Sequence, residues 1–428
     1  MKYSLGKNSS ANLLALGLFF LFSRGFVVIN KLYYLFVVFL ILAIIANRKA
    51  ILQSIKKIYE NGLTPYIIGI YVLFFVYASI SGFWAEFPIV TLSRSGFFLV
   101  LVLGAYSVSS YFKNIDMDYS YIFTPLTLLI ILTSAASLLF QIPENYRTGG
   151  NGLGLMGFSV HQNTLGSIAF LCGSVFTFYS IKKALSSNRN NMVVTLLLAS
   201  SILVVILLFM TASRGAIAAF LSFLFFILLL EAGIKRSIIV FGIIGLMFII
   251  SLQFEFVKNT AESVIYKNAE NIMSSREAMY RASLKGAANG GVFGIGYGMS
   301  DTALVYNVPG EMQNGRFIRE KGSTLLALVE ETGFVGAILF YLPIGILLWK
   351  WGVSVERRTK SPEKAPSKKH GVNLDKFRTL QRELSFLVSI IIAMTVHSQI
   401  EAWGVGVGSV MLPVYLFFIF RLSRIVGE

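Results

Sequence analysis

The residue type best suited to gripping a phosphate is an arginine at the edge of an apolar run, and Arg214 stands in such a place, in TASRGA between Met210 and Ala219. Its guanidinium presents a fixed fork of N–H donors that matches a phosphate or diphosphate bidentately. An arginine that only snorkels at a helix end leaves the same local signature. A second cationic set follows in SREAMYRASLK, with Ser275, Arg276, Arg281 and Lys285, trailed by Gly290, Gly291, Gly294, Gly296 and Gly298. On a helix Arg281 and Lys285 share a face, with Arg276 about 140° from Arg281. The spacing predicts that two or three of these cations converge on one anionic group. The glycines would permit close backbone approach, and their N–H groups could complete an anion nest. A solvated amphipathic helix ending in a glycine cap reads the same way. No strand precedes the GxGxG, so a dinucleotide site is not expected.

Other chemistry-bearing residues are more isolated. His161 opens an apolar run in GFSVHQNTLGS together with Gln162 and Asn163. A neutral imidazole there could orient a hydroxyl or act as a base, or simply cap a helix. Glu330 and Glu331 lie about two turns into another apolar run, where paired carboxylates require a cation or a proton. His397 and Glu401 share a helical face at i and i+4. With three histidines in the chain and no third ligand, neither zinc nor any other metal or cofactor is expected. Arg94, in TLSRSGFF, either joins a cationic cavity or pairs with Glu86, and Arg147 reads as a solvated loop residue.

The elements that hold these residues are transmembrane helices. The 428 residues are 55 % hydrophobic and 14 % charged, against a charged share of about 25 % in soluble domains. Apolar runs of membrane-spanning length recur without the two-residue alternation of a β-barrel. The expected fold is an all-α polytopic bundle of about 12 spans, placed at 11–29, 31–47, 65–82, 88–110, 119–140, 162–181, 192–212, 215–231, 237–254, 323–349, 384–400 and 404–420. No small-residue cleavage site follows the first ten residues, so the first helix is expected to act as the insertion signal. Cys172, the single cysteine, sits in an apolar run and has no disulfide partner in the chain.

The net charge of +16 reports topology rather than nucleic-acid binding. Lys2, Lys7, Arg48, Lys49, Lys56, Lys57, Lys113, Lys182, Lys183, Arg189, Lys235, Arg236, the cations from Lys350 to Arg382, Arg421 and Arg424 all fall on one side of the expected spans. The positive-inside rule makes that side cytoplasmic, with both termini inside. Segment 350–383, rich in Lys, Pro and Ser, reads as a basic cytoplasmic linker beside anionic headgroups. Segment 255–322 is a long, partly helical outer loop between spans nine and ten, of a length usually tied to function. The expected organisation is thus spans one to nine over 1–254, the loop subdomain over 255–322, span ten over 323–349, the linker over 350–383, and the last two spans with a short tail over 384–428.

Taken together, the arginine in TASRGA, the stretch SREAMYRASLKGAANGGVFGIGYG and the opening LVEETGFVG resemble the O-antigen ligase and O-antigen polymerase superfamily. The resemblance implies a metal-independent, inverting glycosyltransferase at the periplasmic face of the bacterial inner membrane. Its donor would be an oligosaccharide on undecaprenyl diphosphate and its acceptor a sugar hydroxyl of a glycan or glycolipid. Fixed cations would offset the charge of the leaving diphosphate. By position Arg214 corresponds to the family's arginine at the outer turn, and Arg276 or Arg281 to its long-loop arginine. Ligases of this type commonly carry a histidine followed by asparagine before span ten. This chain has Arg319, Glu320, Lys321, Gly322, Ser323 and Thr324 there, which tilts the reading toward a polymerase. Glu320 or His161 is then the candidate to assist the acceptor hydroxyl, and Lys321 a further phosphate contact. A ligase, and from another class a transporter or flippase of an anionic amphipath, share the span pattern. Against the transporter, matching half-repeats with broken helices are absent from the sequence.

Overall fold

A computed structural model describes residues 7–26, 29–56, 62–111, 118–139, 154–184, 191–251, 253, 255, 262, 274–300, 310–313, 316–319, 321–360, 374–406 and 409–427. The architecture is helical. In chain order the helices are α1 (Lys7–Ser23), α2 (Tyr33–Ala46), α3 (Arg48–Lys56), α4 (Leu63–Ile80), α5 (Pro88–Tyr111), α6 (Tyr119–Leu139), α7 (Gln162–Ala184), α8 (Asn191–Met210), α9 (Arg214–Ala232), α10 (Ile234–Ser251), α11 (Ser274–Gly290), α12 (Thr324–Lys360), α13 (Leu374–Ile400) and α14 (Met411–Gly427). Between α11 and α12 the strands Gly310–Gln313 and Arg316–Arg319 pair antiparallel, with Gly310 opposite Arg319. This hairpin adds two short strands to the partly helical loop expected of 255–322.

Among the described residues, eight helices are long and apolar enough to cross a membrane, namely α4 to α9, α12 and α13. The chain is therefore a multi-pass membrane protein. The other four expected spans fall on α1, α2, α10 and α14, of 17, 14, 18 and 17 residues. These are shorter than the roughly 20 residues that cover the hydrocarbon layer without help.

The chain divides into two compact units. In the first, formed by 1–39, 116–275 and 392–397, α7 is the central helix: 83 % of its span is buried, against 17 % for α8. The reason lies in side-chain size. Gly166 and Gly173 let neighbours approach α7 closely, Gly173 facing Phe220 and Val204. Thr177 and Ser201 bond across to α8 at 2.6 Å. The outward side of α8 carries Leu196, Ile202, Leu203, Ile206 and Phe209, all exposed, the composition of a lipid-facing surface.

The second unit, formed by 40–115, 276–391 and 398–428, packs α4, α5, α12 and α14 through aromatic rings. Tyr71, Phe74, Phe98, Phe340 and Phe420 meet edge to face with centroids 4.9 to 6.4 Å apart, a favoured arrangement for ring quadrupoles. Arg421 on α14 and Glu383 on α13 form a buried ion pair at 2.7 Å.

Candidate functional site

The turn that carries Arg214 is tightly specified within the first unit. Ala212 has a positive φ of 49°, and Leu155 donates its N–H to the Met210 carbonyl at 2.6 Å. Gly154 packs so closely that a Cβ there would lie 2.2 Å from the Thr211 carbonyl oxygen, and a Cβ on Gly166 would lie 2.5 Å from that of Ser213. Arg214 is thereby fixed as the first residue of α9. Ser213, in the N-cap position, makes no capping hydrogen bond, and its buried hydroxyl has no partner among the described residues. The first N–H groups of a helix lack intrahelical acceptors and carry a partial positive charge, which favours an anion at that end. An arginine, a helix start without a side-chain cap and an orphan hydroxyl are the donors from which an anion site can be built.

His161 lies just before α7 and is exposed. Its Nδ1 accepts the Asn163 N–H at 3.1 Å, so the ring caps the helix. With Nδ1 accepting, the neutral ring carries its proton on Nε2 and offers solvent a donor instead of a base. His397 is buried in this unit beside Phe170, with Nε2 3.4 Å from the Ser167 hydroxyl.

The second unit holds the remaining described candidates, and they do not converge as the helical spacing predicted. Arg276 is largely buried, its guanidinium donating to Glu401 Oε1 at 2.6 Å, to the Gly322 carbonyl at 3.4 Å and to the Ile400 carbonyl. It joins the start of α11, the approach to α12 and the end of α13. Arg281 is 78 % exposed and pairs with Glu277 one turn earlier. The two arginines diverge because five helical positions separate them, and Glu277 and Glu401 lie on different sides.

Lys321 has turned inward. It is 6 % exposed, with Nζ 2.6 Å from Glu331 Oε1, 3.5 Å from Glu330 Oε2 and 2.6 Å from the Met299 carbonyl. It is the cation that the buried carboxylate pair demanded. Glu320 lies outside the described residues.

The glycine cluster answers the nest expectation in an unforeseen way. Helix α12 breaks at Gly333, where φ is 63° and ψ is −170°, a conformation open essentially to glycine alone. The break frees helix carbonyls, and the loop fills them. Ile295 and Gly296 donate to the carbonyls of Glu330 and Glu331 at 2.9 Å each, and the Gly298 N–H donates to Glu331 Oε2 at 2.7 Å. One glycine-loop N–H thus meets an anion, and that anion is the protein's own Glu331 carboxylate.

Residues not anticipated for this role complete the clasp. Tyr77 bonds the Thr332 carbonyl at 2.9 Å, Trp84 Nε1 the Gly294 carbonyl at 3.0 Å and Thr91 the Tyr297 carbonyl at 2.9 Å. Arg94 donates to the Gly298 carbonyl at 2.9 Å rather than forming an ion pair with Glu86. The Tyr297 phenol is buried without a partner among the described residues, and burial, reinforced by Glu331 and opposed by Arg94, holds its pKa far above the usual tyrosine range. The available signal for the clasp was the glycine in EETG, which interrupts an otherwise apolar helix.

Residues 199–341 match the O-Antigen ligase family. This segment of the chain is similar to the O-antigen ligase family, in agreement with the resemblance carried by TASRGA, SREAMYRASLK and LVEETGFVG. The matched segment runs from the second half of α8 through the Arg214 turn, α11, the glycine loop and Lys321 into α12. The family named by that match is one of glycosyltransferase-type enzymes. No curated protein matches the chain.

Proposed function

We propose that this protein transfers a glycan from undecaprenyl diphosphate to a sugar hydroxyl, by an inverting, metal-independent reaction at the periplasmic face of the inner membrane. Both termini would be cytoplasmic, with twelve spans and the 255–322 segment as a periplasmic loop. The observation that carries the reading is Arg214 at the uncapped start of α9, beside the orphan Ser213 hydroxyl. A diphosphate there would accept hydrogen bonds from the Arg214 guanidinium, the Ser213 hydroxyl and the first N–H groups of α9. As the glycosyl bond breaks, charge grows on the leaving phosphate oxygen, and a donor array already in place stabilises it without reorganisation.

The other cations take different roles. Arg276 and Lys321 are positioning residues that hold the loop, α12 and the end of α13 in register, whereas Arg281 is dispensable. His161 orients the acceptor hydroxyl through Nε2–H, and Glu320 is the candidate to take its proton.

A polymerase is favoured because the stretch before α12 carries no histidine. The ligase reading has its own support in the O-Antigen ligase description of the matched family. Purified protein incubated with an undecaprenyl-diphosphate oligosaccharide, without metal, separates them on a gel. A ladder still on diphosphate is the expected result, and free undecaprenyl diphosphate formed only with a separate acceptor means ligase. Lipid translocation in proteoliposomes with no transfer to either acceptor would overturn the enzyme reading in favour of a transporter. Arg214→Ala should abolish product at unchanged protein level.

A further inference from the structure

Beside the clasp in the second unit, a cavity of about 430 Å³ is lined by Trp84, Glu86, Asn289, Ile295, Met299 and Ser300, with Gly290 and Gly294 between them. Such a volume lies within the range of small-ligand sites. Its aromatic wall is held rigidly. Trp84 Nε1 is tied to the Gly294 carbonyl, and Phe293 meets the indole edge-on at 6.3 Å and 63°. The ring is nonetheless 42 % exposed. Opposing this apolar surface are a carboxylate, an amide and a hydroxyl. Glu86 is exposed and forms no hydrogen bond or ion pair with any described residue, so its two oxygens remain available as acceptors.

A flat apolar wall faced by acceptors and donors is the complement of a pyranose, which has C–H groups on its faces and hydroxyls around its rim. A metal ion would need more than one carboxylate, and a wholly apolar ligand would strand Glu86. The location agrees with this chemistry. Trp84 immediately follows a membrane-crossing helix, next to Phe83, which is 90 % exposed. Aromatic residues at helix ends mark the membrane surface, where the first sugars of a lipid-linked glycan lie. Met299 lines the cavity and gives its carbonyl to Lys321, so the cavity adjoins the Lys321–Glu331 cluster.

We infer that this cavity is a sugar subsite, in which Trp84 stacks on a pyranose ring and Glu86 accepts hydrogen bonds from its hydroxyls. The inference deepens the proposed function and rests on it for the source of the sugar, a ring of the donor or acceptor glycan.

The test is saturation-transfer NMR on the full-length protein in nanodiscs, with methyl glycosides of glucose, galactose, rhamnose and N-acetylglucosamine as probes. At least one glycoside should receive saturation on one ring face. The signal should fall about tenfold in Trp84→Ala, a change in affinity that one lost aromatic contact can supply. It should survive in part in Trp84→Phe and drop several-fold in Glu86→Ala. Because Glu86 forms no hydrogen bond or ion pair with a described residue, the glutamate variant should keep the wild-type melting temperature, and it guards against a Trp84 variant that merely loosens the loop. Absence of signal from every probe, or equal signals in wild type and both alanine variants, would overturn the sugar subsite. In the transfer assay, a raised KM for acceptor alone assigns the ring to the acceptor, and a raised KM for donor alone assigns it to the donor. Glycoside binding lost on mutation, in a protein that performs no transfer, would sink the proposed function and leave the subsite standing. Transfer unaffected by either variant, with no glycoside signal, would do the reverse.

Discussion

Lys321 offers the sharpest test of whether the buried charges beside the glycine loop are structural or bind substrate. It is 6 % exposed and Glu331 is 2 % exposed, and they meet at 2.6 Å. Removing one partner of a buried pair leaves the other as an uncompensated charge, at a cost of about 3–5 kcal/mol. Lys321→Ala should therefore destabilise the second unit by that amount, and the clasp should open because Glu331 also anchors the Gly298 N–H. The informative variant is Lys321→Met with Glu331→Gln. A neutral amide still accepts from Gly298, and the methionine fills the volume of the lysine stem. Most of the lost stability should return, leaving about 1–2 kcal/mol for Glu330, which lies 3.5 Å from the lysine. The assay is thermal unfolding of detergent-solubilised protein followed by size-exclusion chromatography, paired with glycan transfer. If Lys321 positions the loop, stability and activity recover together in the double variant. A double variant that is stable yet inactive would refute this reasoning and return Lys321 to phosphate binding. A single variant weakened by less than about 1 kcal/mol would refute it as well.

Three further outcomes follow from the geometry. Gly333→Ala places a Cβ 1.8 Å from the Val292 carbonyl oxygen in a glycine-only conformation, so the loop must undock, at a cost of about 3 kcal/mol or more; hydrogen exchange at Ile295, Gly296 and Gly298 should rise sharply. Gly154→Ala collides with the Thr211 carbonyl and should displace the Arg214 turn, lowering transfer at least as much as it lowers melting temperature. Arg281→Ala removes an exposed pair and should change stability by less than about 0.5 kcal/mol, with glycan transfer unaffected.

The helices were legible because an uncharged run of about 20 residues has one stable form in a bilayer. Eight of the expected spans, from 65–82 to 384–400, coincide with helices long and apolar enough to cross a membrane. Arg214 was legible for a similar reason: charge at the edge of an apolar run stands out whatever surrounds it. The partners of the other cations were not. Arg276 reaches Glu401, distant in sequence, and no local period encodes that pairing. Lys321 and Glu331 are ten residues apart, and their meeting depends on the non-helical approach to α12. The glycine loop misled for a physical reason, since backbone N–H groups accommodate any anion and the sequence does not say whether it will be a ligand or a neighbouring side chain. His161 shows the same limit, because only geometry reveals that its Nδ1 is already engaged.

The break at Gly333 also bears on how the chain is assembled. Until the glycine loop docks, the carbonyls of Glu330 and Glu331 lack the Ile295 and Gly296 N–H donors that meet them in the folded protein, and polar backbone groups left unmet are costly in hydrocarbon. The donors come from both directions along the chain: Tyr77 from α4, synthesised early, and Ile295 and Gly296 from the segment made just before α12. The clasp can close only after α12 has emerged to meet residues inserted some 250 positions earlier. Biogenesis of this half of the protein is therefore postponed to a single late event, and chains truncated ahead of Gly333 should be recognised by membrane quality control as unfinished, even with every preceding helix in place.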